Sequence, residues 1–235
     1  MRRTGLLWVA LAAISIVTSG CSKQDDTKRP ASDPVAARPA AVGTGGAGAT
    51  LNNDSDFVRD VASKTRAELE FSRMALDKAT SPDVKSFAQR TIEDDGATGD
   101  KLKNLVGTSI EWPAQFDDKH RKTAEDLAKR QGLDFDREYV EAMVEVHQDL
   151  AAKLESRLDV QSVADWKTAA AGRTYNKALP EPQTATRDVP VRPNKSDNDV
   201  TTKINQWAAD TYPVAQKHLD TARTLENAVK KRSSN

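Results

Sequence analysis

From Phe57 onward the chain returns buried-type and small side chains every third and fourth position, the spacing that lays them along one face of an α-helix. Phe57, Val61, Thr65, Glu68, Leu69, Ser72, Ala75, Leu76 and Ala79 make the first stripe. Asp54, Ser55 or Asp56 stands where a side-chain oxygen can accept from the free amides of a first helical turn. Ser81, Pro82 and Asp83 stop that helix and start another. Serine suits the cap, proline's missing N–H costs nothing at the first helical position, and aspartate suits the dipole end. The second stripe reads Val84, Phe87, Ala88, Thr91, Asp95, Thr98, Leu102, Leu105 and Val106. With only Thr80 and Ser81 between them, the two helices form an antiparallel hairpin.

"EWPAQF" breaks the chain, and a shorter helix follows over about 117–131, closed by Gly132. The third long helix, capped by Asp134 or Asp136, carries Tyr139, Val140, Met143, His147, Leu150 and Leu154, and its pattern runs on toward Gly172. Prolines at 180, 182, 190 and 193 mark an extended loop. The last helix, from about Asp199 to Lys230, aligns Ile204, Trp207, Ala208, Val214, Ala215, His218, Leu219, Ala222 and Leu225, with Pro213 set to bend it. No segment alternates with period two, so the expected fold is all-α: an antiparallel four-helix bundle with one extra short helix.

Each long helix interrupts its stripe with one ionisable group: Glu68, Asp95, His147 and His218. Glu68 and Asp95 sit at similar distances from the hairpin turn. At a rise of 1.5 Å per residue, their heights differ by about 3 Å. Two chemistries suit such a set. The groups can pair with one another and fix helix register, or carboxylates and imidazoles converging between helices can ligate a divalent metal. Against the second, the Glu-x-x-His spacing of di-iron bundles is missing: Val144 and Ala215 occupy the positions three before the histidines. The remaining histidine, His120 in "DDKHRK", reads as exposed.

Charge and composition exclude several functions. The 235 residues carry 35 basic and 35 acidic side chains, and the only basic run is "KKR" at 230–232, so a nucleic-acid partner is not expected. "GTGGAG" at 43–48 satisfies a dinucleotide-loop pattern but has no preceding strand to aim its amides. No activated nucleophile, P-loop or zinc signature is present, so no enzymatic activity is expected. Residues 1–20 instead have the layout of an export signal: basic "MRRTG", apolar "LLWVALAAISIV", then small residues. "TSGC" resembles the box of a bacterial lipoprotein, whose cysteine becomes the acylated first residue. Cys21, the sole cysteine, is therefore the expected lipidation site and membrane anchor. Thr18 stands where such boxes prefer leucine, and Ser22 follows the cysteine, favouring the outer membrane by the enterobacterial rule. From 21 to 53 the chain lacks aromatic residues and reads as a disordered tether averaging roughly 30 Å end to end. The bundle domain then spans 54–231, with a proline-rich insertion at about 161–198.

Three blocks carry a family resemblance: "FVRDVASKTRAELEFSRMALDKATSPDVKSFAQRTIEDD", "GLDFDREYVEAMVEVHQDL" and "WAADTYPVAQKHLDTA". Over about 54–160 and 197–226 the chain resembles the bacterial family called domain of unknown function 4142. The resemblance implies a ferritin-like helical bundle, exported and often lipid-anchored. It also implies that Glu68, His147 and His218 match the family's helix-one acid and two of its histidines. Asp95 stands where the family has a third histidine. The family's biochemical role is not established, so the resemblance speaks to fold and location. The leading expectation is a non-enzymatic envelope lipoprotein, without a cofactor, that binds an envelope protein or small ligand or supports the envelope. The alternative is a periplasmic metal-binding or redox bundle using Glu68, Asp95, His147 and His218.

Overall fold

The computed structural model of the protein describes residues 45–171 and 189–233, with side chains from Asn53. The leader, Cys21, most of the expected tether and residues 172–188 of the insertion lie outside the described residues. Among the described residues there are six helices: α1 Gly45–Lys78, α2 Pro82–Val106, α3 Asp118–Ala128, α4 Gly132–Glu155, α5 Val160–Ala171 and α6 Asp199–Ser233. The all-α reading holds. α3 is the expected short helix and α5 is a second one. Among the described residues, no helix is long and apolar enough to cross a membrane.

Going round the bundle, α1 packs on α2, α2 on α6, α6 on α4, and α4 back on α1. At one end Asp54 near the start of α1 binds Arg157 just past α4, and also accepts from Thr201 in the first turn of α6. At the other end Asp136 in the first turns of α4 meets the α1–α2 turn, and Arg232 at the end of α6 donates to Ser81. Each helix therefore runs antiparallel to both neighbours. α2 and α4 consequently run in the same direction, and the chain must cross the length of the bundle between them. α3, packed against α1 and α4, is that crossover, the connectivity that separates a ferritin-like bundle from a simple up-and-down one.

Two apolar clusters hold the helices. One, at the Asp54 end, gathers Phe57, Val61, Leu102, Leu154, Ile204 and Trp207. The other, toward the α1–α2 turn, gathers Phe71, Phe87, Phe135, Tyr139, Met143 and Leu225. Each fully buried side chain of this kind contributes about 1.5–3 kcal/mol, so burial in these two layers dominates stability. What separates them is polar.

Several local expectations are corrected. α1 begins at Gly45, ahead of the expected cap. Asp54 is not spent on a cap because it is fully buried with Arg157, whose guanidinium also lies 4.4 Å from the Phe57 ring centre. Ser81 takes the N-cap position of α2 but makes no side-chain cap bond. The turn amides go instead to the Asp136 carboxylate, which accepts from Thr80 N at 3.0 Å, Ser81 N at 2.9 Å and Thr80 Oγ1 at 2.7 Å. Gly132 does not close α3, which ends at Ala128. It opens α4 with φ 61°, a backbone setting that disfavours side chains with a Cβ, so neither Asp134 nor Asp136 is the cap. α4 stops at Glu155 rather than continuing. Leu158 pairs with Pro193, Asp159 N donates to Arg192 O, and the Asp159 carboxylate caps α5 by accepting from Ser162 N. The start of the insertion is therefore part of the core, with Trp166 stacked edge-on against Tyr212 at 5.4 Å. Pro213 is accommodated within α6.

Candidate metal centre

The four stripe-breaking groups meet in the polar layer between the apolar clusters. Glu68 comes from α1, Asp95 from α2, His147 from α4 and His218 from α6, and their side chains are 0%, 6%, 0% and 1% exposed. His147 Nε2 lies 3.6 Å from both Glu68 Oε1 and Asp95 Oδ2, and His218 Nδ1 lies 3.3 Å from Asp95 Oδ1. The two imidazoles meet edge to face at 5.4 Å, and Phe87 closes the layer with its ring 6.2 Å from His147 and 6.0 Å from His218.

Both rings are held from outside the layer. His147 Nδ1 is 2.8 Å from the Met143 carbonyl, which can only accept, so this nitrogen carries a proton and, in the neutral ring, Nε2 is the inward lone pair. His218 Nε2 is 3.1 Å from Asp94 Oδ2, so in the neutral ring Nδ1 is the inward lone pair. Inside the layer, Glu68 Oε1 and Oε2, Asp95 Oδ2, His147 Nε2 and His218 Nδ1 are buried without hydrogen-bond partners. Thr91 Oγ1, one turn from Asp95 on α2, is equally unpartnered. Buried polar atoms left this way cost about 1–3 kcal/mol each.

The charges are unevenly shared. Burial, reinforced by the neighbouring Asp95 carboxylate, raises the Glu68 carboxyl well above its ordinary range, so it holds a proton. Burial would raise Asp95 too, but the charge of His218 and the two imidazoles around it outweigh that and hold the carboxyl well below its usual range. His218 is the counterpart: burial opposes its charge, yet Asp95 and Asp94 carry it up to about 9.

Asp95, His147 and His218 each offer a donor atom within 4.8 Å of the others. A tetrahedral ion with bonds of about 2.0–2.1 Å spaces its donors roughly 3.4 Å apart. Neighbouring donors here lie 3.3–3.6 Å apart, the two imidazoles meeting different Asp95 oxygens, and one donor atom from each of the three residues falls within 4.8 Å of the others, so side-chain adjustment is needed to bring the set onto one ion. Glu68, beside His147, is the available fourth donor once it loses its proton. Imidazole and carboxylate donors suit divalent zinc, copper, nickel or iron rather than monovalent copper, which prefers sulfur.

All four residues singled out in the sequence are therefore brought together. Two participants were missed. Asp94 looks like a surface acid and is recognisable only as the neighbour of Asp95, while the Met143 carbonyl has no side-chain signature at all. His120, expected to be exposed, is 4% exposed. Its Nδ1 lies 2.7 Å from Asp117 Oδ2 and its ring packs 6.4 Å from Phe71. It lies outside the central group because α3 lays it on the outer side of α1.

No curated protein matches the sequence. Among solved structures, the chain is similar to CopM in the Cu(II)-bound form, with 16% identity and a TM-score of 0.47, over 74% of this chain and 96% of that one. Residues 39–179 match the family described as a domain of unknown function (DUF4142), and the chain belongs to that family.

Proposed function

We propose that the protein is an envelope lipoprotein whose bundle binds one divalent transition-metal ion. Asp95, His147 and His218 are the ligands and Glu68 is the fourth donor. The observation that carries this reading is the set of buried, inward-facing donors that make no hydrogen bond and lie within 4.8 Å of one another, with both outer ring nitrogens already engaged. Outer partners of that kind are what orient ligating histidines. A layer built only to fix register would be expected to satisfy its own hydrogen bonds. The leader and the "TSGC" box support attachment through a lipid on Cys21, which would place the bundle outside the cytosol and tether it to a membrane. The role is binding and holding the ion.

The test uses mature protein without a histidine tag, stripped with chelator and titrated separately with Zn²⁺ and Cu²⁺. Native mass spectrometry and calorimetry should find one ion per chain, with His147→Ala abolishing uptake. Protein that stays metal-free under excess ion would assign the layer to helix register instead. Mass spectrometry of the protein extracted from membranes checks the anchor: an unacylated Cys21 removes that part of the reading.

A further inference from the structure

We propose that Asp94 is a positioning residue of the metal centre: it selects Nδ1 as the nitrogen through which His218 binds the ion. This rests on the metal-binding reading above. Consecutive residues on an α-helix point about 100° apart. Asp95 therefore faces the bundle axis while Asp94 faces the seam between α2 and α6, its side chain 43% exposed. The two carboxylates grip opposite sides of one imidazole. Asp94 Oδ2 is 3.1 Å from Nε2, and Asp95 Oδ1 is 3.3 Å from Nδ1.

His147 is held the other way round, with Nδ1 on the Met143 carbonyl and Nε2 inward. The centre thus offers one nitrogen of each kind. The two restraints differ in strength. The hold on His147 is part of the helix backbone, one turn back on α4, and no substitution at a side chain removes it. The hold on His218 from outside the layer is a single side chain at the bundle surface. If the ring turned over about its Cβ–Cγ bond, Nδ1 would exchange with Cδ2, and a carbon would face the ion. Packing does not prevent this by shape alone, since the imidazole presents similar outlines in both orientations to Phe87 and His147. Among the contacts made from outside the layer, the hydrogen bond to Asp94 distinguishes them.

A merely structural Asp94 would contribute to stability and leave the coordinating nitrogen unchanged. The experiment separates these on ¹⁵N-labelled, untagged protein loaded with Zn²⁺, using long-range ¹H–¹⁵N correlation to identify which nitrogen of each histidine carries a proton. In the unaltered protein His218 should show a zinc-bound Nδ1 and a protonated Nε2, and His147 the reverse. Asp94→Ala should weaken zinc binding by about 10–100-fold and lose the His218 pattern. Asp94→Asn, which keeps an acceptor oxygen, should preserve the pattern and most of the affinity. Zinc bound through His218 Nε2 in the unaltered protein overturns the proposal alone. So does an Asp94→Ala protein that keeps the Nδ1 pattern, whatever its melting temperature. Failure of the unaltered protein to take up zinc overturns both this proposal and the reading on which it stands.

Discussion

A binding site and a structural pin respond oppositely to being filled with hydrocarbon. Consider the fourfold variant Glu68→Leu, Asp95→Val, His147→Leu and His218→Leu, which turns the polar layer into a continuation of the two apolar clusters. Five buried nitrogen and oxygen atoms of these side chains make no hydrogen bond. Their mutual attraction, chiefly His218 with Asp95, offsets only part of that desolvation. Replacing such a buried charged group with apolar residues of similar volume is worth about 1–4 kcal/mol of added stability. For a domain of this size that corresponds to a rise in Tm of roughly 2–16 °C. His218→Leu alone should do the reverse, because it strands the Asp95 carboxylate in the core. The expected cost is about 3–5 kcal/mol, a fall in Tm of roughly 6–20 °C. Thermal melts by circular dichroism on chelator-treated protein measure both. Added Zn²⁺ should raise the melting point of the unaltered protein and leave that of the fourfold variant unmoved. A fourfold variant that melts below the metal-free parent, or that loses its near-ultraviolet signal, would refute the reasoning and make the layer a determinant of fold.

Three further outcomes follow from the same geometry. Asp136→Ala leaves the buried Ser81 amide and the Thr80 amide at the α1–α2 turn without their acceptor. The midpoint of urea unfolding should fall by an amount worth about 2–5 kcal/mol, with Asp136→Asn costing less because one oxygen remains. Asp117 is held at about 2: burial acts against its charge, but the His120 amide and ring and the Ser63 hydroxyl outweigh it. A depressed carboxyl contributes stability that is present above its unfolded pKa, near 4, and lost as pH falls toward 2. Asp117→Asn should therefore flatten the acid limb of the stability profile over that window. Finally, ion binding must displace the proton that His218 holds up to about 9 and the one on Glu68. Affinity should therefore rise with pH through the neutral range, and calorimetry in buffers of different ionisation enthalpy should show proton release on binding.

The bundle was legible in the sequence because burial follows the stripes closely. Phe57, Val61, Phe87, Met143, Leu154 and Ile204 are all in the core. The centre was legible for the complementary reason. An ionisable side chain at an apolar position breaks a pattern, and the helical rise places Glu68 level with Asp95. What could not be read were bonds between residues far apart in the chain. Asp136 looks like a cap for its own helix, yet its carboxylate serves a turn 55 residues earlier. Asp54 looks like the cap of α1 and instead pairs with Arg157, 103 residues away. His120 sits among charges in "DDKHRK" but is covered because the crossover lies down on α1. The tautomers of His147 and His218 depend on a backbone carbonyl and a surface acid, and neither disturbs a hydrophobic pattern. The break after Glu155 has a similar origin: the strand-like pairing of Leu158 with Pro193 competes successfully with continuing the helix.

Anomalous diffraction from crystals of the untagged protein grown with one equivalent of Zn²⁺, recorded on both sides of the zinc absorption edge, tests the central claim most directly. A single strong peak is expected inside the bundle, within about 2.0–2.2 Å of His147 Nε2, His218 Nδ1 and an Asp95 oxygen. An empty layer at full zinc occupancy elsewhere, or a peak held only by surface acids, would contradict it.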